Sequence, residues 1–193
     1  MYHDRPSPGH YIFWAAWLLL GLVVGLHFPN IDSRLRWLAP SWLLLHRSIL
    51  THGPFVSLLL FRLARKRGDT GQSLRMFAIG ATIALAVHFC FDFFPRGWVG
   101  FALIHVPVYG RTSALFSQAW IIVSIVTCLY VGLRLVRRVI EAVLGAGGLI
   151  ISFVISALEG GEAIMSALLL LLFATAITIG VSRLDRKRLM RRA

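Results

Sequence analysis

Residues 11–28 read YIFWAAWLLLGLVVGLHF, an apolar run with no Asp, Glu, Lys or Arg. An α-helix rises 1.5 Å per residue, so about 20 apolar residues cross the hydrocarbon layer of a bilayer. Further runs of this kind follow along the 193-residue chain, which is 58% hydrophobic and only 15% charged. Its mean hydropathy is +0.76. A soluble domain carries about 25% charged residues. A transmembrane β-barrel would alternate polar and apolar positions, and these runs are solid. The expected fold is all-α: one polytopic transmembrane bundle over residues 1–193 with about six helices. They are placed at about 11–28, 52–63, 74–94, 117–135, 139–158 and 163–181, with a basic tail at 183–193. The N-terminus lacks the basic start and small-residue cleavage site of a removable signal peptide, so the first run is expected to persist as a helix.

The formal charge is +12. The basic residues gather mainly in RLARKRGDTGQSLR (62–75), RLVRR (134–138) and RLDRKRLMRR (183–192), at the ends of apolar runs. That pattern fits topology signals and anionic lipid headgroups rather than nucleic acid. With six crossings, all three clusters fall on one side. The positive-inside tendency makes that side cytoplasmic, along with both termini, and the opposite face periplasmic or extracellular. Cys90 and Cys128 lie within apolar runs and read as small buried hydrophobes. The tryptophans at 14, 17, 37, 42, 98 and 120 read mostly as an interfacial belt. Gly145, Gly147 and Gly148 read as helix-packing positions.

The opposite face collects the unusual residues. The end of the first helix, HFPNIDSR, brings His27 and Asp32; HRSILTH (46–52) brings His46, Arg47, Thr51 and His52; HFCFD (88–92) brings His88 and Asp92. Ionisable groups at membrane depth are costly and rare, so their convergence marks a site. His88 and Asp92, four apart, share a helix face. His46 and His52 would point about 240° apart on a continuous helix, so a turn between them is expected. Thr51 is then the N-cap of the second helix, with Pro54 in its first turn. His46, His52, His88, Asp92, Asp32 and His27 are the candidate ligands of a divalent metal. Histidine and carboxylate donors suit zinc, with manganese or iron as alternatives. Asp32 is also a candidate general base, and Arg47 suits a phosphate or carboxylate. His105 reads as an interfacial loop residue, and the 97–110 segment as a loop dipping into the interface. Glu159 and Glu162 read as a solvated turn. His3 and His10 lie towards the other face.

The order of these motifs resembles the YdjM-like family of bacterial inner-membrane proteins, described as predicted metal-dependent hydrolases. That family typically reads PDID, HRGITHS and HLLLD; the present chain reads PNID at 29–32, HRSILTH at 46–52 and HFCFD at 88–92. Asn30 replaces an aspartate, and HRSILTH is one residue longer. The resemblance covers roughly residues 20–110, the region of the expected metal site. It implies metal-assisted hydrolysis. A site at headgroup level on the outer face points to membrane lipids as partners and an amphiphilic substrate, a phospholipid or polyprenyl phosphoester first. A non-catalytic metal- or haem-binding protein or scaffold is the alternative.

Overall fold

The computed structural model describes residues 8–35, 37, 46–66, 71–94, 102–160 and 163–190. The chain is an all-α bundle: α1 (Pro8–His27), α2 (Ile31–Arg34), α3 (Phe55–Lys66), α4 (Gln72–Asp92), α5 (Ala114–Leu135), α6 (Val139–Gly160) and α7 (Ile164–Met190). Between α4 and α5 lies a small hairpin of β1 (His105–Val106) and β2 (Gly110–Arg111). Helices α1, α4, α5, α6 and α7 are long and apolar enough to cross a membrane, as expected of a multi-pass membrane protein. The second expected helix forms as α3 but has only 12 residues, about 18 Å of rise. It is too short to cross alone, which leaves five long apolar spans among the described residues.

Helix α4 is the axis of the bundle. Its span is 72% buried, against 22–33% for the other four. The sequence explains why. Small residues at 78, 80, 81, 84 and 86 of α4 are buried and let neighbouring backbones approach closely. A methyl group at Gly21 would collide with the carbonyl of Phe77, and one at Gly80 with that of Leu18. Gly25 faces Ala81 and Ala84 in the same way. The pairs ascend together, so α1 and α4 run parallel and end at the same face. Trp14, Leu18 and Leu22 of α1 pack on Met76 and Ile79 of α4. Beyond them, Leu85, Phe89 and Cys90 pack with Ile121, Ile125 and Cys128 of α5, and with Leu171 of α7. Both cysteines are buried and free. Gly145 and Gly148 of α6 do lie against α4 and α1, whereas Gly147 faces open space.

At the end of α4 remote from His88, an ion pair is fully enclosed. Nη2 of Arg75 lies 2.6 Å from Oε1 of Glu141, and both side chains are buried. The other carboxylate oxygen accepts the backbone N–H groups of Arg137 (2.8 Å) and Arg138 (3.3 Å), closing the first turn of α6. Arg75 therefore does not face lipid headgroups, contrary to its expected place in the 62–75 basic cluster. Two tryptophans also depart from the belt: Trp14 is buried in the core and Trp120 is bonded to the site described next. Trp42 and Trp98, the SWLLL stretch and residues 97–101 of the 97–110 segment lie outside the described residues.

Candidate metal centre

HRSILTH forms a turn, as its two histidines required, and brings the rings of His46 and His52 to 5.7 Å between centroids. An irregular segment enclosed by apolar helices must satisfy its own polar backbone. Here it does so from several directions. Ser48 N donates to Asp32 (3.2 Å), and Thr51 N and His52 N donate to the carbonyl of Ser48 (3.1 and 2.8 Å). The His105 N–H donates to the Arg47 carbonyl (2.9 Å), and Ile49 N donates to the His105 carbonyl (2.8 Å). The indole Nε1 of Trp120 donates to the His52 carbonyl at 2.8 Å. Arg47 takes up the left-handed region at φ 64°, a conformation that non-glycine residues adopt rarely and that these flanking bonds hold in place.

Asp32, with no exposed surface, is the hub behind this turn. Its carboxylate accepts from Ser33 N (2.6 Å), Ser48 N (3.2 Å) and the Thr51 hydroxyl (2.8 Å), and lies 3.4 Å from Nδ1 of His46. Burial pushes its pKa up, but His46, the charge of His52, Thr51 and Ser48 outweigh burial and hold it below the ordinary carboxylate value. Thr51 thus does not cap a helix as expected. Its hydroxyl is claimed by the stronger, charged acceptor, and α3 begins only at Phe55.

The tautomer of His52 follows. Oγ1 of Thr51 lies 3.0 Å from Nδ1 of His52. A hydroxyl carries one proton, and Thr51 gives it to the ionised Asp32. Nδ1 of His52 must therefore be the donor to Thr51, which leaves Nε2 as the lone-pair nitrogen. That atom faces Oδ2 of Asp92 at 2.8 Å, an acceptor against an acceptor unless a cation or a second proton lies between. Burial holds the His52 pKa below the usual histidine value even though Asp92 pulls it upward. His52, His88 and Asp92 together could hold a cation.

His88 completes the group. Its Nε2 lies 3.2 Å from the same Asp92 oxygen and, although buried, makes no hydrogen bond to any described residue. One ligand atom from each of His52, His88 and Asp92 falls within 4.8 Å of the others. An ion about 2.0–2.1 Å from each ligand separates tetrahedral neighbours by about 3.3 Å; the two separations to Oδ2 of Asp92, 2.8 Å from His52 and 3.2 Å from His88, are near this value. Two imidazoles and a carboxylate with a further position open is the donor set of hydrolytic zinc sites. Arg47 stands beside it. Its Nη2 is 3.7 Å from Oδ1 of Asp92, not near Asp32, and its Nε is buried without a hydrogen bond.

The other expected ligands fall elsewhere. Asp32 and His46 lie behind and beside the three-residue group rather than in it, because Thr51 and Ser48 occupy the Asp32 carboxylate. His27 is exposed at the end of α1. His105 is 5% exposed, and its backbone clips the loop in a short parallel bridge with Ser48. Glu159 is exposed, while Glu162 lies outside the described residues. Sequence reasoning missed Ser48 and Trp120. Ser48 acts mainly through its backbone N–H and carbonyl and Trp120 through one bond to a carbonyl, which leaves no periodic or charged signature.

No protein-family model matches this chain, and no curated protein or solved structure is matched by it.

Proposed function

We propose that this protein is a membrane-embedded, metal-dependent hydrolase. Its substrate is an amphiphilic phosphoester, a phospholipid or polyprenyl phosphate, met at the outer face of a bacterial inner membrane. The observation that carries this reading is the convergence of His52, His88 and Asp92 with a cationic Arg47 at their edge. The resemblance of PNID, HRSILTH and HFCFD to the YdjM-like hydrolases supports it. A divalent ion there, zinc first and manganese or iron as alternatives, supplies Lewis acidity and an acidified water. The protein's own residues do the rest. Thr51 and Asp32 fix the His52 ring so that Nε2 faces the centre, as carboxylates behind metal-bound histidines do. Arg47 holds one Asp92 oxygen and retains donors for the negative charge of a phosphoryl group. Asp32 then acts as a positioning residue rather than as the general base.

The test is metal content by mass spectrometry on purified protein, with His52→Ala and His88→Ala alongside, followed by a screen of phosphatidyl and polyprenyl phosphoesters. About one ion per chain, lost in both variants, together with metal-dependent turnover supports the reading. A full complement of metal without turnover of any phosphoester moves the protein to a non-catalytic metal-binding role. The near-complete burial of His52, 1% exposed, favours that second reading.

A further inference from the structure

An aromatic shelf adjoins the loop that carries His52. The ring of Phe116 stacks on Trp120 (centroids 6.1 Å apart, 11° between planes), and the ring of Phe55 lies 5.9 Å from that of Trp120. Phe55 is 47% exposed and Phe116 43%. An interfacial belt needs only exposed rings. This trio is tied to the site as well, through Trp120. Trp120 donates to the carbonyl of His52 at 2.8 Å. The Phe55 ring lies over the next residue, Gly53, where a Cβ would come within 2.9 Å of it. A glycine directly after a candidate ligand thus lets an aromatic ring lie flush against the ligand loop. Phe55 begins α3 and Phe116 lies in the first turn of α5, so both stand at the face where α4 ends in Asp92.

The loop therefore offers an unsaturated cation before His52 and an apolar, partly uncovered surface after it. We propose that Phe55, Trp120 and Phe116 bind the single apolar chain of an anionic, phosphate-headed amphiphile whose headgroup reaches Arg47. The identity of the headgroup rests on the hydrolase reading; the shelf and its attachment to His52 do not. Charge at one end and aromatic surface at the other, joined through one residue, match such a molecule. They match a neutral boundary lipid or a soluble phosphate less well.

The experiment uses the full chain in a neutral maltoside detergent. Lysophosphatidic acid carrying a dibrominated acyl chain is titrated while tryptophan fluorescence is followed, because bromine quenches an indole it touches. Zinc content is measured on the same samples. The expected result is saturable quenching that disappears in Trp120→Phe, with an apparent Kd raised on the order of tenfold by Phe116→Ala or Phe55→Leu. Arg47→Ala weakens this probe but leaves quenching by a brominated, neutral monoacylglycerol unchanged. Equal quenching by both probes in the unaltered protein overturns the proposal and makes the shelf ordinary lipid contact. So does a signal that survives Trp120→Phe. Zinc-free protein that still shows selective quenching keeps the shelf and rejects the hydrolase; zinc-loaded protein without quenching rejects the shelf alone.

Discussion

The hydroxyl of Thr51 stands between the imidazole of His52 and the carboxylate of Asp32, 3.0 Å from one and 2.8 Å from the other. The proton position on that oxygen sets which nitrogen of His52 carries its hydrogen and which offers its lone pair to the side of Asp92. Thr51→Val keeps the shape and removes the hydroxyl. It should lower zinc affinity about 10- to 100-fold in competition with a chromophoric chelator, while Thr51→Ser should restore it. Equal affinities in all three proteins would show that Thr51 only fills space.

On the proposed reading Arg47 serves the substrate and not the metal. Arg47→Ala should therefore leave zinc stoichiometry intact and lower phosphoester turnover about 10²- to 10³-fold, the usual cost of removing one donor to developing charge. Arg47→Lys should recover only part of this, because an ammonium lacks the planar fork. Loss of zinc from Arg47→Ala would instead place the guanidinium in the service of Asp92 alone.

The buried pair of Arg75 and Glu141 makes a separate prediction about stability. Removing one partner strands a charge among apolar helices, and Glu141→Gln or Arg75→Met should cost about 3–5 kcal/mol. The double replacement Arg75→Met with Glu141→Met should recover much of that loss, though not the capping bonds at Arg137 and Arg138. Unfolding in mixed micelles with increasing denaturing detergent measures all three. Additive losses would mean that the two side chains do not depend on each other.

Gly80 touches the backbone of α1 so closely that no side chain fits. Gly80→Ala should destabilise the bundle by about 1–3 kcal/mol through overpacking. It should also weaken zinc binding, because α1 carries the chain to Asp32 while α4 carries His88 and Asp92. Gly147→Ala, on a glycine facing open space, is the control and should be neutral or slightly stabilising.

The membrane class, the long helices and the approach of His46, His52, His88 and Asp92 were legible in the sequence. Apolar length and the clustering of costly polar groups are strong, local signals. The partition of roles was less so. Asp32 looked like a ligand because its chemistry allows it, yet three nearby donors hold it one layer back. His105 looked like a loop residue because its usefulness lies in its N–H and C=O groups, which every residue shares. Arg75 looked like one more basic residue beside a membrane, because its partner Glu141 lies 66 positions away. Such separations carry no periodicity that a linear reading can detect.

The bonds that hold the ligand loop have a consequence for how the protein is made. His52 meets Asp92 across 40 positions and Trp120 across 68, and Ser48 is bridged to His105. A nascent chain that has released only α1 and α3 therefore holds a single member of the three-residue group. The other two arrive with α4, and the clips on the loop arrive only with the hairpin and α5. On the proposed metal reading, capture of an ion would be a late event in biogenesis, coming after the central helices have docked. It would act as a seal on a finished assembly and not as a template for it.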